Sequence, residues 1–515
     1  MNTDTPSQPP NRRWPEYRLA LLSCVLLYFW ADAPSRVLTF EYYDNGETLL
    51  HTLNLLAGVV PYREDYNHHF FGYLLPFVAL GKLFGVGPQL ISLTRLIFQV
   101  STAIGVFALC RMRCSFALAL LGAALYITAR APMAFAFYPQ HELATFLIWI
   151  LFFCFRALQN GRMLRWASLL CGMAFVCDQR ALLLFVLPAA TWVLRQRSAG
   201  LRNSEATPMR ALIFPALIAP SAVLIYLTCT HALLPFWEQT VVFPFFFRSA
   251  SLGFSAKLHS WLWVHRYLIT MTPFLSTFAA IGVLAIATHR MQLAEGERLL
   301  LSTAIFVLLG TTFFSGRDFQ YYTIPFNPLL AYLAVCSSSF FTRLPIAGRR
   351  VYSGLLLTPV LIALLQSYQT MAQLPKAGFD DGASETISFL QRNLGTQDRL
   401  LVWGYRMDLQ ARLGRHSDYP FGNQIMIHPD RSITTEADRA LHVFGKYEKL
   451  FLGALTNDPP TVVVTFDKPE LSKLSSSAEK QLKLLLQERY TKVFEITRLN
   501  IAQEPCTFRI FRRSA

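Results

Sequence analysis

Long apolar runs dominate the chain and fix its fold class before any other feature is considered. Runs near 16 to 33, 89 to 110, 115 to 130, 141 to 158, 166 to 178, 181 to 194, 211 to 230, 265 to 288, 298 to 314, 322 to 342 and 351 to 372 read as membrane spans. The chain is therefore expected to be a polytopic α-helical membrane protein of about eleven spans, each needing roughly 20 apolar residues. Only 15% of the 515 residues are charged and 53% are hydrophobic, which excludes a soluble globular enzyme and a disordered chain alike.

Charge placement sets the orientation. The formal net charge of +15 would suggest a nucleic-acid partner in a soluble chain. Here the arginines collect in alternate loops, at Arg12 to Arg18, Arg111 and Arg113, Arg156 to Arg165, Arg195 to Arg210, Arg290 and Arg298, and Arg343 to Arg350. The positive-inside bias makes those loops and the N-terminus cytoplasmic, and no nucleic-acid partner is expected. The run His69 to Gly85 is short and broken by Pro76 and Lys82, and counting it as a span would scatter these arginines over both sides. It reads instead as an interfacial helix in a first outer loop of about residues 34 to 88.

With eleven spans, everything after about residue 375 lies outside. Residues 376 to 515 carry 20 Lys or Arg against 17 Asp or Glu, so this part is expected to be soluble. Strand-like runs Leu400 to Tyr405, Thr461 to Phe466 and Thr507 to Phe511 alternate with helix-like stretches near 383 to 394 and 478 to 490, the pattern of a small α/β extracytoplasmic domain. Residues 1 to 375 form the transmembrane domain. Eight of the nine cysteines lie in or beside apolar segments and leave Cys506 alone in the tail, so no disulfide framework is expected. Met1 to Arg18 is polar and proline-rich and no small-residue cleavage site follows, so the first span is expected to stay in the mature chain.

Ionisable residues near apolar spans are costly unless they find a partner or a task. Arg95, Arg130, Glu142, Asp178, Arg180, Arg266, Arg317 and Asp318 all fall at or near the expected outer ends of spans. Any one alone reads as a helix cap or a snorkelling side chain. Together on one face they favour a shared polar site. The first outer loop adds Glu41 to Glu47, an amphipathic stretch Leu49 to Leu56, and the turn Gly58 to His69. A carboxylate cluster followed by such a helix suits catalysis at a membrane surface, although Asp44 also reads as an ordinary helix N-cap. The aromatic stretch Leu234 to Phe247 reads as a headgroup belt or as one wall of an isoprenoid groove. A transporter or lipid flippase is the competing reading, but it would place polar groups near the midplane between repeated halves.

The order Asp44-x-x-Glu47, amphipathic helix, Gly58-x-x-Pro61-Tyr62-Arg63 and a helix from Tyr73 to Gly85 resembles the first external loop of the C-fold (GT-C) glycosyltransferases. More narrowly, it is similar to bacterial relatives of the dolichyl-phosphate-mannose protein mannosyltransferases and of lipid A aminoarabinose transferase. Later landmarks resemble that family in the same order: Glu142 opening the fourth span, Gly172 to Gln179, and Ser315 to Tyr322 ahead of Pro325 and Pro328. Two positions depart from it. Gln320-Tyr321 stands where members often have His-Tyr, and Asn67-His68-His69-Phe70 replaces a proline-centred motif.

The resemblance implies transfer of a sugar from a polyprenyl-phosphate carrier to an envelope acceptor (glycan, lipid or protein) at the outer face of the bacterial plasma membrane. A phosphate leaving group needs no general acid; the reaction needs a carboxylate to take the acceptor's proton and cations to hold the phosphate. By the resemblance Asp44 is the general base of an inverting displacement, with Glu47 one turn on as its support or rival. Arg317 is the first choice for the carrier phosphate, with Arg180, Arg266 and Arg95 as alternates. Glu142, His68 and His69, with His141, are candidates for a divalent-cation or acceptor site.

Overall fold

The computed structural model describes residues 14–31, 44–129, 137–202, 207–242, 253–291, 293–315, 319–341, 345–373, 381–404, 406–419, 445–467, 477–499 and 505–514. Among them five helices are long and apolar enough to cross a membrane: Pro88–Arg111, Pro139–Gln159, Arg210–Cys229, Glu295–Phe314 and Arg350–Gln369. The pair Phe254–Met271 and Pro273–Ala287 passes the same test as one unit, bent by 103° at the break. The protein is a multi-pass membrane protein.

Several expected spans take the form of shorter helices, for local reasons. The run near 166 to 178 is the 14-residue helix Leu164–Cys177, which stops where the Asp178 side chain accepts from the Arg180 backbone N–H at 2.8 Å and starts a 3₁₀ turn. The run near 322 to 342 is the 11-residue helix Phe326–Cys336 between two 3₁₀ turns, Gln320–Thr323 and Ser337–Phe341. The run near 115 to 130 forms Phe116–Thr128, opened by Ser115 as its N-cap.

Lipid offers no hydrophobic drive between helices, so close backbone packing at small residues holds them. Gly282 lies against the Leu333 carbonyl and Gly172 against the Ala216 carbonyl, where any side chain would collide. At one end of the bundle Arg111 Nε bonds Glu16 at 2.9 Å and Arg113 Nη2 bonds Glu297 at 2.6 Å. Arg195 caps the Ala157 and Leu158 carbonyls at the end of their helix. These bonds tie together elements that carry the loop arginines.

Residues beyond 381 build a four-stranded mixed sheet of order β1-β2-β4-β3, with β1 (Leu400–Trp403) parallel to β2 (Val462–Asp467) and the other pairs, formed by β3 (Tyr490–Leu499) and β4 (Pro505–Arg513), antiparallel. Alternation of side chains splits its core in two. Leu400, Val402, Val464 and Phe508 face the helix Ala383–Asn393. Leu401, Trp403 and Val463 face the helices Gly445–Asn457 and Ser477–Arg489. β3 is an edge strand with Lys492, Glu495 and Arg498 in it, which hides it from a hydrophobic-pattern reading.

After β1 the short helix Met407–Arg412 leaves the sheet and lies on the helix Asp44–Leu56. Ala411 joins Leu49, Phe77, Leu90, Ile91 and Phe137 in one apolar cluster. Gly46 permits the contact: a Cβ there would meet the Asp408 amide nitrogen at 2.8 Å.

Candidate active site

The site is built on the helix Asp44–Leu56. Asp44 and Glu47 lie in its first turn, where the helix dipole favours negative charge. Its polar stripe is buried: Glu47, His51 and Asn54 recur at i, i+4 and i+7 and are each at most 3% exposed. Buried polar groups require partners, and these have them. His51 Nε2 faces Glu47 Oε1 at 3.3 Å, His51 Nδ1 faces Asp65 Oδ2 at 2.5 Å, and Asn54 Nδ2 donates to the same Asp65 oxygen at 2.8 Å.

Asp65 is delivered by a tight loop. Gly58 turns the chain at a φ of 87°, and Tyr62 sits at a φ of 66°, a conformation that costs a non-glycine residue about 1–3 kcal/mol unless its surroundings enforce it. They do. The Tyr62 amide donates to the Asp65 carbonyl at 2.8 Å, its hydroxyl to the His69 carbonyl at 2.8 Å, and its carbonyl accepts from Gln239 Nε2 at 2.6 Å. The segment carrying Gln239 belongs to the aromatic stretch, and Phe236 packs edge-on to Tyr62 at 5.1 Å. That stretch thus braces the loop; its residues 243 to 247 lie outside the described ones.

Burial alone would lower the His51 pKa, but the Asp65 carboxylate first, and then Glu47, outweigh it and raise it to about 10. His51 is an imidazolium at neutral pH. A folded-state pKa above the unfolded one stabilises the protein fully below about pH 6.5 and loses that contribution as pH rises through about 10. The unfolding temperature of the detergent-solubilised protein is therefore expected to fall from pH 7 to pH 10.5 more steeply than that of His51→Gln. Parallel curves would remove the charged histidine.

Asp44 is exposed, at the lip of this buried network. The Tyr321 hydroxyl is pushed well above its ordinary pKa by burial, with Tyr322, Asp44 and Tyr138 adding to the shift and Arg180 opposing it. Asp44 and Arg180 therefore act on the same phenol from opposite sides of the charge balance. Tyr321 stacks on Tyr138 at 4.3 Å, and Arg180 lies over the Tyr322 ring at 4.7 Å. Arg180 Nε bonds the Asp178 carboxylate at 2.9 and 3.1 Å, and its Nη2 closes a third bond to it. Turned with its carbonyl toward the guanidinium, the buried Gln140 amide accepts from Arg180 Nη1 at 3.3 Å.

His69 lies within electrostatic range of Glu47 and His51 and also of Asp178 and Arg180. Its burial, with the Arg180 and His51 charges, outweighs Glu47 and Asp178 and holds it down at about 4, so it is neutral. His68 Nδ1 lies 3.8 Å from Glu47 Oε1. Glu142 is fully buried one helix away, beside Cys177 and Asp178. Arg95 is buried with its Nε 3.3 Å from the Tyr28 hydroxyl, and it lies within electrostatic range of His141. Arg266 sits exposed on its helix, and among the described residues its side chain makes no hydrogen bond or ion pair. Arg317, Arg130 and Asp318 lie outside the described residues.

Among the described residues no three His, Cys, Asp or Glu side chains converge as a metal site, because His68 faces Glu47 while Glu142 faces Cys177 and Asp178. His51, Asn54 and Asp65, absent from the expected site residues, are central here; the signal for His51 and Asn54 is the i, i+4, i+7 polar stripe of the site helix, whereas Asp65 comes from the loop that follows it.

No protein-family model and no curated protein matches the sequence. Solved structures do match. ArnT from Cupriavidus metallidurans, solved bound to undecaprenyl phosphate, superposes with a TM-score of 0.60 at 13% identity over 96% of this chain and 97% of its own. The chain has the GT-C fold. The apo ArnT structure gives the same TM-score at 12% identity, over 97% and 98% of the two chains. A mycobacterial arabinofuranosyltransferase, AftD, follows at 0.52 and 13%, covering 98% of this chain and 42% of AftD. At such identities the likeness is one of GT-C architecture, and the chemistry must be argued from the site.

Proposed function

We propose that the protein is an integral-membrane glycosyltransferase that moves a sugar from a polyprenyl-phosphate carrier to an envelope acceptor. The observation that supports this reading is that Arg180 lies over the Tyr322 ring at 4.7 Å while the neighbouring Tyr321 is within electrostatic range of Asp44, a carboxylate and a cation held on different segments. Asp44 takes the proton of the acceptor nucleophile as that atom bonds the anomeric carbon. The bond from that carbon to the phosphate oxygen breaks with its electron pair, and Arg180 balances the charge on the departing polyprenyl phosphate. Attack opposite the leaving group inverts the anomeric centre. Arg317, adjacent in sequence to the Tyr321 segment, is the second phosphate ligand of the proposal.

The proposed topology has eleven spans, with the N-terminus in the cytoplasm of a bacterium and residues 376 to 515 outside the plasma membrane as a domain separate from 1 to 375. The Arg111 to Glu16 and Arg113 to Glu297 pairs support it, since both join loops assigned to the inner face. The bound undecaprenyl phosphate of ArnT supports a carrier of that class.

Comparison of envelope glycans with and without the gene product tests the reading. The expected result is one sugar missing from one glycan class, with its polyprenyl-phosphate donor accumulating. Unchanged glycans with carrier lipids redistributed between leaflets would favour a flippase instead.

A further inference from the structure

The hydrogen bonds of the site helix do not end within the membrane part. The Ser417 backbone N–H, in the segment after Met407–Arg412, donates to Asn54 Oδ1 at 2.8 Å. From Asn54 the chain runs through Asp65 to His51 and on to Glu47 at the distances given above, and both intermediate bonds converge on one Asp65 oxygen. The other end of the same helix is held as firmly. Gly46 abuts Asp408, whose carboxylate is locked by Arg406 Nε at 2.8 Å and Nη2 at 3.0 Å. Arg406 also bonds Asp381 at 2.6 Å and lies over the Phe466 and Phe508 rings at 5.0 and 4.8 Å, inside the core of the sheet domain. One short segment, residues 406 to 417, thus grips both ends of the helix that presents Asp44 and Glu47.

We propose that the sheet domain is a working part of the active site: through Ser417, Asn54, Asp65 and His51 it fixes the orientation of the Glu47 carboxylate. His51, Asp65 and Asn54 are positioning residues, and the domain supplies the donor that ends their chain. A carboxylate held by one bond from a freely rotating side chain would sample several orientations; one tied through the three buried side chains of His51, Asp65 and Asn54 holds a single one. This inference rests on the glycosyltransferase reading only for the role of Glu47, since the chain itself is independent of the reaction.

The test uses the full chain in detergent or proteoliposomes. Asn54→Ala, and separately Gly46→Ala, which pushes Asp408 away without touching the chain's side chains, are each expected to lower kcat for sugar transfer by about 10- to 100-fold, the scale of a misplaced catalytic group. The KM for the polyprenyl-phosphate donor should stay within about twofold, a split that general structural damage would not give. Adding Glu47→Gln to Asn54→Ala should cost little more than Glu47→Gln alone. Wild-type kcat in Asn54→Ala, or losses that multiply in the double variant, would overturn the proposal. If the wild type transfers no sugar at all, the glycosyltransferase reading fails, and the thermal unfolding cycle of His51→Gln with Asn54→Ala decides the chain by itself. Non-additive shifts in unfolding temperature are expected; additive ones would overturn it.

Discussion

Asp44→Asn is expected to lower kcat for sugar transfer by about 10² to 10⁴-fold, the usual contribution of a general base, with donor KM and protein abundance unchanged. The expectation follows from where Asp44 lies. It is exposed at the first position of its helix, so the substitution falls at a solvent-accessible side chain. Asn is also well suited to a helix N-terminus, which keeps the fold cost small. Glu47, by contrast, is buried and bonded to His51, so its loss would combine chemistry with structure. Substantial transfer by Asp44→Asn would shift the base role to Glu47.

Arg180→Ala is expected to act on two levels that can be separated. It strands the Asp178 carboxylate, whose side chain is 4% exposed, and breaking such a pair costs about 3–5 kcal/mol. It also removes the cation proposed for the carrier phosphate, and loss of one such electrostatic contact lowers rates by about 10² to 10³-fold. The double variant Arg180→Ala with Asp178→Asn should regain most of the lost unfolding temperature while donor use stays impaired. Transfer restored along with stability would reduce Arg180 to a counterion of Asp178.

The membrane class, the first-loop motif and three of the four strands were readable because each is a local pattern: apolar runs, residue order and period-two alternation. The span count was less so. Hydropathy does not register that Asp178 ends a helix by capping its own Arg180, or that a 3₁₀ turn at Ser337–Phe341 closes Phe326–Cys336. Glu142, Asp178 and Arg180 were legible as ionisable groups at span ends, and they do lie near one another. Arg266 has the same sequence signature, yet it faces outward. Position along a helix says nothing about which face is buried when every face is apolar. The His51, Asp65 and Asn54 network was hidden for a different reason. Leu49 to Leu56 reads as an amphipathic helix with its polar side to water, whereas residues more than 350 positions later cover that side.

The most direct measurement is a structure of the full chain with undecaprenyl phosphate bound. The phosphate is expected within hydrogen-bond distance of Arg180, with the Asp44 carboxylate facing the side from which an acceptor would approach the anomeric carbon. A phosphate seated away from Arg180, with Asp44 turned to bulk solvent, would contradict that expectation.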